Sequence, residues 1–285
     1  MSPDGRGAHI TRRRFLGGGA LAVGVFAGPY AKWVEPNWVR VARLDIEIPG
    51  WPAHAAGLVI GQISDLHCDN AADARRTAHA ARLLMAEKPD VVFVTGDYLS
   101  SHPVTPKITA CLAGLQPLLS APRGVFALLG NHDWWSNGAQ EITARFNQAG
   151  FRMLRKEAVE LPRTPGVWLV GLDDCFVGKQ DVDRALRGVP KDALKLLLVH
   201  EPDYADESPP GFALQLSGHS HGGQVRIPGL PPLNLPFLGR HYYEGLTQSP
   251  HHPVYVTRGV GMVSPKIRLF CPPEVAVLRV CPRAR

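Results

Sequence analysis

Asp65 and His67 stand two residues apart, and so do His219 and His221, with Asp97, Asn131, His132, Asp133 and His200 between the two pairs. On extended backbone the side chains at i and i+2 point to one side, so each pair can present two ligand atoms together. Imidazoles mixed with carboxylates and an amide suit Mn, Fe or Zn better than the all-oxygen shells preferred by Mg and Ca. The cysteines, Cys68, Cys111, Cys175, Cys271 and Cys281, have no metal-type spacing and offer no thiolate set for a structural zinc site. Seven candidate ligands remain: Asp65, His67, Asp97, Asn131, His200, His219 and His221. They are too many for one open catalytic site and suit two metals that share a bridging carboxylate. Two divalent ions against the charges of Asp65 and Asp97 leave a positive centre that attracts anions.

The elements that must position these groups are strands. Leu58–Ser64 precedes Asp65, Val91–Thr95 precedes Gly96-Asp97, and Val125–Leu129 precedes Gly130-Asn131-His132-Asp133. Leu194–Val199 precedes His200, and Ala213–Ser217 precedes Gly218-His219-Ser220-His221. Each is a short apolar run of the kind that forms a buried strand. Helical patterns at Ala71–Glu87, Pro106–Leu119 and near Ala139–Ala149 alternate with the first strands, which implies parallel βαβ units. The carboxyl ends of parallel strands share one edge, where ligands bind, so the polar residues should converge in a crevice. Further strands are expected at Val167–Gly171, near Val254–Thr257 and at Val275–Val280, and a Pro-rich apolar loop occupies Ile227–Leu238.

With 285 residues, 45% hydrophobic and 20% charged, the chain is an ordinary globular protein, which excludes wholesale disorder and a polytopic membrane protein. The net charge of +6 is partly terminal. Arg6, Arg12, Arg13 and Arg14 face only Asp4 in residues 1–31, so the remainder carries 27 basic against 24 acidic residues, and no nucleic-acid partner is expected. Thr11-Arg12-Arg13-Arg14-Phe15-Leu16 followed by the Gly- and Ala-rich run Gly17–Gly28 resembles a twin-arginine export signal. That run, as a helix, spans about 18 Å against a hydrocarbon layer of about 30 Å, so it is a poor permanent anchor. No clean Ala-x-Ala cleavage site follows, which leaves a membrane-tethered form open. The division is therefore 1–31 as signal or anchor, 32–55 as connector and 56–285 as one domain.

Asp-Leu-His (65–67), Gly-Asp (96–97), Gly-Asn-His-Asp (130–133), His200 and Gly-His-Ser-His (218–221) resemble, in this order, the five motifs of the calcineurin-like metallophosphoesterases. The trailing Gly-Gly-Gln-Val (222–225), Arg258-Gly-Val-Gly261 and Pro272-Pro-Glu274 resemble a bacterial branch of twin-arginine-exported or membrane-associated phosphodiesterases. The resemblance implies an α/β fold, a four-layer αββα sandwich of two mixed sheets flanked by helices. It implies one metal on Asp65, His67, Asp97 and His221 and a second on Asp97, Asn131, His200 and His219, with Asp97 bridging. A metal-bridging hydroxide would attack phosphorus, and His132 would protonate the departing oxygen. Asp133 would orient that imidazole or serve structure alone.

The expected substrate is a phosphodiester at the cell envelope, lipid-linked if the apolar loop contacts it, and the expected partners are the twin-arginine machinery and a membrane surface. A soluble nucleotide or cyclic-nucleotide phosphodiesterase and a non-catalytic metal-binding scaffold are the alternatives. Tyr98-Leu99 after Gly-Asp differs from the protein serine/threonine phosphatases, and His132 stands where hydrolases of UDP-2,3-diacylglucosamine usually carry Arg. His241, in the loop Pro236–Tyr243, either contacts substrate or packs on the surface. His9, His54, His79, His102, His251 and His252 read as structural residues, and Cys271 and Cys281 are close enough in sequence to pair.

Overall fold

In the computed structural model of the protein, residues 27–282 other than 103 and 179 are described. Along the chain run β1 (Arg40–Ile48), β2 (Val59–Ile63), α1 (Ala71–Ala86), β3 (Val91–Thr95), α2 (Val104–Leu115), β4 (Val125–Leu128), α3 (Asn131–Trp135), α4 (Ala139–Gln148) and β5 (Arg152–Met153). There follow β6 (Glu157–Glu160), β7 (Val167–Gly171), α5 (Val182–Ala185), β8 (Leu194–Leu198), β9 (Leu214–Ser217), β10 (Gly245–Gln248), β11 (Pro253–Val256) and β12 (Glu274–Pro282). The strands form two six-stranded sheets, ordered β1-β12-β2-β3-β4-β5 and β10-β11-β9-β8-β7-β6. Both are mixed. In the first, β12 is antiparallel to β2, and in the second β10 and β6 are antiparallel to their neighbours.

The unbroken apolar runs are explained by burial on both faces. In β3, Phe93 packs between the sheets with Leu128, Leu198 and Leu216, while Val92 and Val94 pack outward with Leu84 of α1, Ile108 of α2 and Phe146 of α4. β8 alternates in the same way, Leu196 and Leu198 inward and Leu197 outward with Val170, Tyr204 and Phe212. The helical layer on the first sheet is well built: Asn70 caps α1 by accepting the N–H of Ala72 and Asp73 at 2.9 and 3.1 Å. The layer on the second sheet is thin, made of α5 and the 3-10 turn Pro202–Asp206 together with loops. The sheets are joined by a buried amide, since Gln62 Nε2 donates to Thr95 Oγ1 at 3.1 Å and to Ser217 O at 3.0 Å.

Several local expectations need correction. Residues 32–55 are not merely a connector, because β1 lies there and pairs in parallel with β12 from Arg40↔Glu274 to Ile48↔Pro282. Its pattern is disguised by an exposed edge bearing Arg40, Arg43, Asp45 and Glu47, with Ile46 and Ile48 the buried anchors. The second helix runs Val104–Leu115 rather than Pro106–Leu119, and a 3-10 turn takes over at Gln116–Ser120, where Pro117 lacks the N–H to continue the ladder. Among the described residues no helix is long and apolar enough to cross a membrane. The Arg12–Arg14 motif lies outside them.

Candidate metal centre

β2, β3 and β4 of the first sheet run parallel, as do β8 and β9 of the second, so the crevice forms between the carboxyl edges of two sheets rather than along one. Just past these strands the backbone turns sharply: Asp65, His67, Asp97, His219 and His221 all have positive φ, between 43° and 71°. Non-glycine residues there are strained by about 1 kcal/mol or more each and persist only when their surroundings hold them. The holding bonds are present. Asp65 N–H donates to Gly96 O at 3.0 Å, Leu66 and His67 N–H to Asp97 O at 2.8 and 3.1 Å, and His219 N–H to Asp65 Oδ1 at 2.8 Å. There is no room for a side chain between the loops, since a Cβ on Gly130 would overlap Asp97 Oδ1 and one on Gly218 would overlap Asp65 Oδ2.

All seven ligand candidates from the sequence meet in this crevice. Asp65, His67 and His221 form one group able to hold a metal and Asp97, His200 and His219 another, with the ligand atoms of each group within 4.8 Å of one another. Asn131 Oδ1 joins the second group, 2.9 Å from His219 Nδ1. Asp97 Oδ2 lies between the two, 3.2 Å from His200 Nε2 and 3.6 Å from His67 Nε2. The opposite edges of the rings are fixed by hydrogen-bond partners that leave the inner nitrogens free. His200 Nδ1 donates to Thr95 O at 2.6 Å and His219 Nε2 to Phe237 O at 2.8 Å, while His67 Nδ1 meets Ser100 Oγ at 2.8 Å. Asp65 Oδ2, His200 Nε2 and His221 Nδ1 are buried without a hydrogen-bond partner.

Electrostatics point the same way. Burial lowers His67 to about 3 and His219 to about 4, and holds His221 well below the usual imidazole value, so these rings are neutral at pH 7 and offer lone pairs. The neutral His219 turns its Nδ1 lone pair toward the Asn131 carbonyl oxygen, and the His67 and His221 Nε2 atoms pair at 3.0 Å, close enough to share a ligand between them. The lone pairs of His219 Nδ1 and Asn131 Oδ1 are brought together favourably by a cation. Burial resists ionisation of Asp97, yet His200, His132 and His67 outweigh it and hold the carboxyl well below its usual range. His200 is raised well above its usual value, because Asp97, Asp65 and Glu201 overcome the burial that opposes its charge. The buried donor set therefore fits two divalent cations.

Residues 58–223, more than half of the chain, match the family model for calcineurin-like phosphoesterase. The chain belongs to the calcineurin-like phosphoesterases. Metallophosphoesterase YkuE of Bacillus subtilis (strain 168) is 31% identical over 277 residues, covering 94% of this chain and 96% of that one. Phosphodiesterase YaeI of Escherichia coli (strain K12) is 30% identical over 280 residues, covering 95% and 99%. UDP-2,3-diacylglucosamine pyrophosphatase LpxG of Chlamydia muridarum (strain MoPn / Nigg) is 28% identical over 330 residues, covering 93% and 98%. Calcineurin-like phosphoesterases use two divalent metal ions, and the two Asp/His groups supply places for them.

Above the donors this phosphoesterase has a cavity of about 530 Å³ with Asp97, Asn131, His132, His219 and His221 at its floor. Its wall is a chain of aromatic rings, Phe237 from the apolar loop expected to meet substrate and Trp135 and Phe176 without a signal in the sequence: Trp135 and Phe176 lie 5.5 Å apart, Phe176 and Phe237 6.0 Å, and Phe176 sits 5.9 Å from His219. His132, half-buried at the floor, packs edge-on to His67 at 4.9 Å and Trp135 at 5.0 Å, with its backbone N–H on Asp97 Oδ1 at 2.9 Å. Buried Arg268, also overlooked, donates to the carbonyls of Arg258, Gly259, Gly261 and Cys271 and so holds the Arg258–Gly261 motif, whose Gly261 N–H reaches Asp65 O at 2.6 Å. The motif was legible; its clamp was not, because nothing local distinguishes a buried arginine. Asp133 accepts backbone N–H groups instead of meeting the His132 ring. His241 is exposed, paired with Asp206 at 2.7 Å, and outside the cavity lining. Cys271 and Cys281 are both free thiols.

Proposed function

We propose that this phosphoesterase is an exported enzyme of the cell envelope that hydrolyses phosphodiesters carrying an apolar group. The observation that carries the reading is the aromatic wall Trp135–Phe176–Phe237, which runs from the ligand-bearing floor to the surface without a charged residue in it. An acyl or prenyl chain laid on this wall would bury apolar area at about 25 cal/mol per Å². The relatives YaeI, a phosphodiesterase, and LpxG, a pyrophosphatase of a diacylated sugar nucleotide, support the same class.

In this reading Asp65, His67, Asp97 and His221 hold one ion, and Asp97, Asn131, His200 and His219 the other. The bound ions supply Lewis acidity and an activated water nucleophile. The chain's own residues do the rest. The fixed tautomers of His200 and His219 keep the ligand atoms aimed before substrate arrives, so little reorganisation is left for the reaction. His132 stands at the floor facing the cavity, where its ring protonates the leaving oxygen. The aromatic wall seats the apolar group and excludes water from one side of the phosphorus. Loading in the cytoplasm before twin-arginine export favours Mn or Fe over Zn.

The test is metal content together with hydrolysis of an aryl phosphodiester and its monoester, on wild type and Asp97→Ala, followed by an acyl-bearing and a nucleotide diester on wild type and Phe176→Ala. About two metals per chain, loss of diester turnover in Asp97→Ala and a raised KM for the acyl-bearing diester alone in Phe176→Ala would support the proposal. Equal turnover of nucleotide and acyl diesters, untouched by Phe176→Ala, would replace it with a soluble nucleotide phosphodiesterase. Two metals with no turnover of any ester would leave a metal-binding scaffold.

A further inference from the structure

Beside the cavity the surface carries a row of large apolar side chains that no core needs. Trp33 is 61% exposed, Phe270 57% and Leu233 66%, and Val34, Trp38, Ile227 and Leu230 are each about half exposed. These residues come from three stretches of chain held side by side. Arg268 N–H donates to Ala31 O at 2.9 Å, and the buried Glu35 carboxylate accepts the N–H of Phe270 and Cys271 at 3.0 and 2.5 Å, which lays residues 31–35 along 268–271. On the other side Leu269 N–H donates to Gln224 O at 3.1 Å and Arg226 N–H to Leu269 O at 2.8 Å, which brings Ile227 and the Pro-rich loop alongside Phe270. Trp38 and Phe270 flank a common depression. Val225 and Ile267, each within three residues of this row, line the cavity above the metal centre, so the same stretches of chain carry both the row and part of the cavity wall.

The chemistry of the row favours one occupant. Lys32 Nζ lies 5.1 Å from the centre of the Trp33 ring and the Arg40 guanidinium 4.0 Å from that of Trp38. Tryptophan with a neighbouring cation is the pairing that settles at a bilayer interface, the ring among acyl chains and headgroups and the cation beside anionic phosphates. In the sequence, residues 1–26 precede this stretch and hold Arg12, Arg13 and Arg14 followed by the apolar run from Gly17. Large exposed apolar side chains grouped on one face mark an interaction site rather than a random exposure.

We infer that this face, Trp33, Val34, Trp38, Ile227, Leu230 and Phe270, docks on an anionic lipid bilayer and sets the cavity mouth at the membrane surface. Substrate then enters from the bilayer plane. Entry of substrate from the bilayer plane rests on the proposed apolar substrate, whereas docking of the face does not, and turnover of a soluble aryl diester reports the hydrolytic site independently of both.

The full chain is mixed with vesicles of phosphatidylglycerol and phosphatidylethanolamine whose acyl chains are brominated, and tryptophan emission is compared with unbrominated vesicles. Bromine quenches only indole rings that reach the acyl region. Quenching in the wild type that falls by about half or more in Trp33→Phe/Trp38→Phe, and returns when Leu230→Trp is added to that background, is the expected result. Quenching that persists unchanged in the double variant overturns the inference. So does a Leu230→Trp ring that stays unquenched, because the chain would then be tethered without this face meeting the bilayer. A dimer in sedimentation that Ile227→Asp/Leu230→Asp dissociates would assign the face to a second copy instead. Unchanged turnover of the aryl diester shows in each case that the variant is folded.

Discussion

Oδ2 of Asp133 accepts the backbone N–H of Asp97 at 2.9 Å, while Oδ1 of the same carboxylate accepts that of Tyr98 at 2.9 Å. Oδ2 also takes the Gly130 N–H at 3.0 Å. One buried side chain thereby ties the loop after β3 to the loop after β4 and decides where Asp97 points. Burial and then the Asp97 charge push the Asp133 carboxyl up, and the N–H groups of Gly130 and Leu99 pull against them.

Asp133→Asn therefore tests positioning rather than chemistry. Its amide nitrogen would face backbone donors, leaving buried N–H groups unpaired at about 1–3 kcal/mol. The expected outcome is a lower midpoint in urea unfolding together with reduced metal content. Wild-type values for both would show that Asp97 is held by other contacts.

His132→Ala should leave two metals bound, since the ring belongs to neither metal-holding group. Turnover of an alkyl diester is expected to fall by about 10²–10⁴, and that of a nitrophenyl diester by much less, because a stable phenolate departs without a proton. Equal losses on the two leaving groups would remove the acid role from His132.

Gly218→Ala places a methyl group against Ser64 Oγ and Asp65 Oδ2. Both loops must then shift, at about 1–3 kcal/mol, and Asp65 moves with them. Metal analysis should find the group of Asp65, His67 and His221 depleted, with total content falling toward one ion per chain. Full content with unaltered stability would contradict the tight approach of the two sheets here.

His252 lies outside the metal centre, with Nε2 3.2 Å from Gln215 Oε1, and burial followed by the His251 charge lowers it to about 4. A depressed histidine pKa means that the unfolded chain takes up the proton first on acidification. Its contribution to stability is complete above about 6.5 and is lost as pH falls toward about 4. His252→Gln should therefore cost most stability at pH 7.5 and progressively less toward pH 4.5, read as the difference in Tm from wild type. A constant difference would show that His252 titrates normally.

The sequence by itself determined the donors and their order. Five apolar runs each ending in Asp, Asn or His are local patterns, and a strand buried on both faces announces itself through an unbroken run such as Val91–Thr95. The residue types also decided for a mixed nitrogen and oxygen metal chemistry. Tertiary structure alone decided what depends on pairing between distant segments. β1 is legible only through its register with β12, over 230 residues away, because an edge strand needs few apolar positions of its own. Asp133 gives no sign in the sequence that its partners are the N–H groups of Asp97, Tyr98 and Gly130, since backbone donors have no side-chain signature. Trp135, Phe176 and Phe237 become one wall only when loops from both sheets meet, because aromatic contact is set by three-dimensional proximity and has no period in the chain.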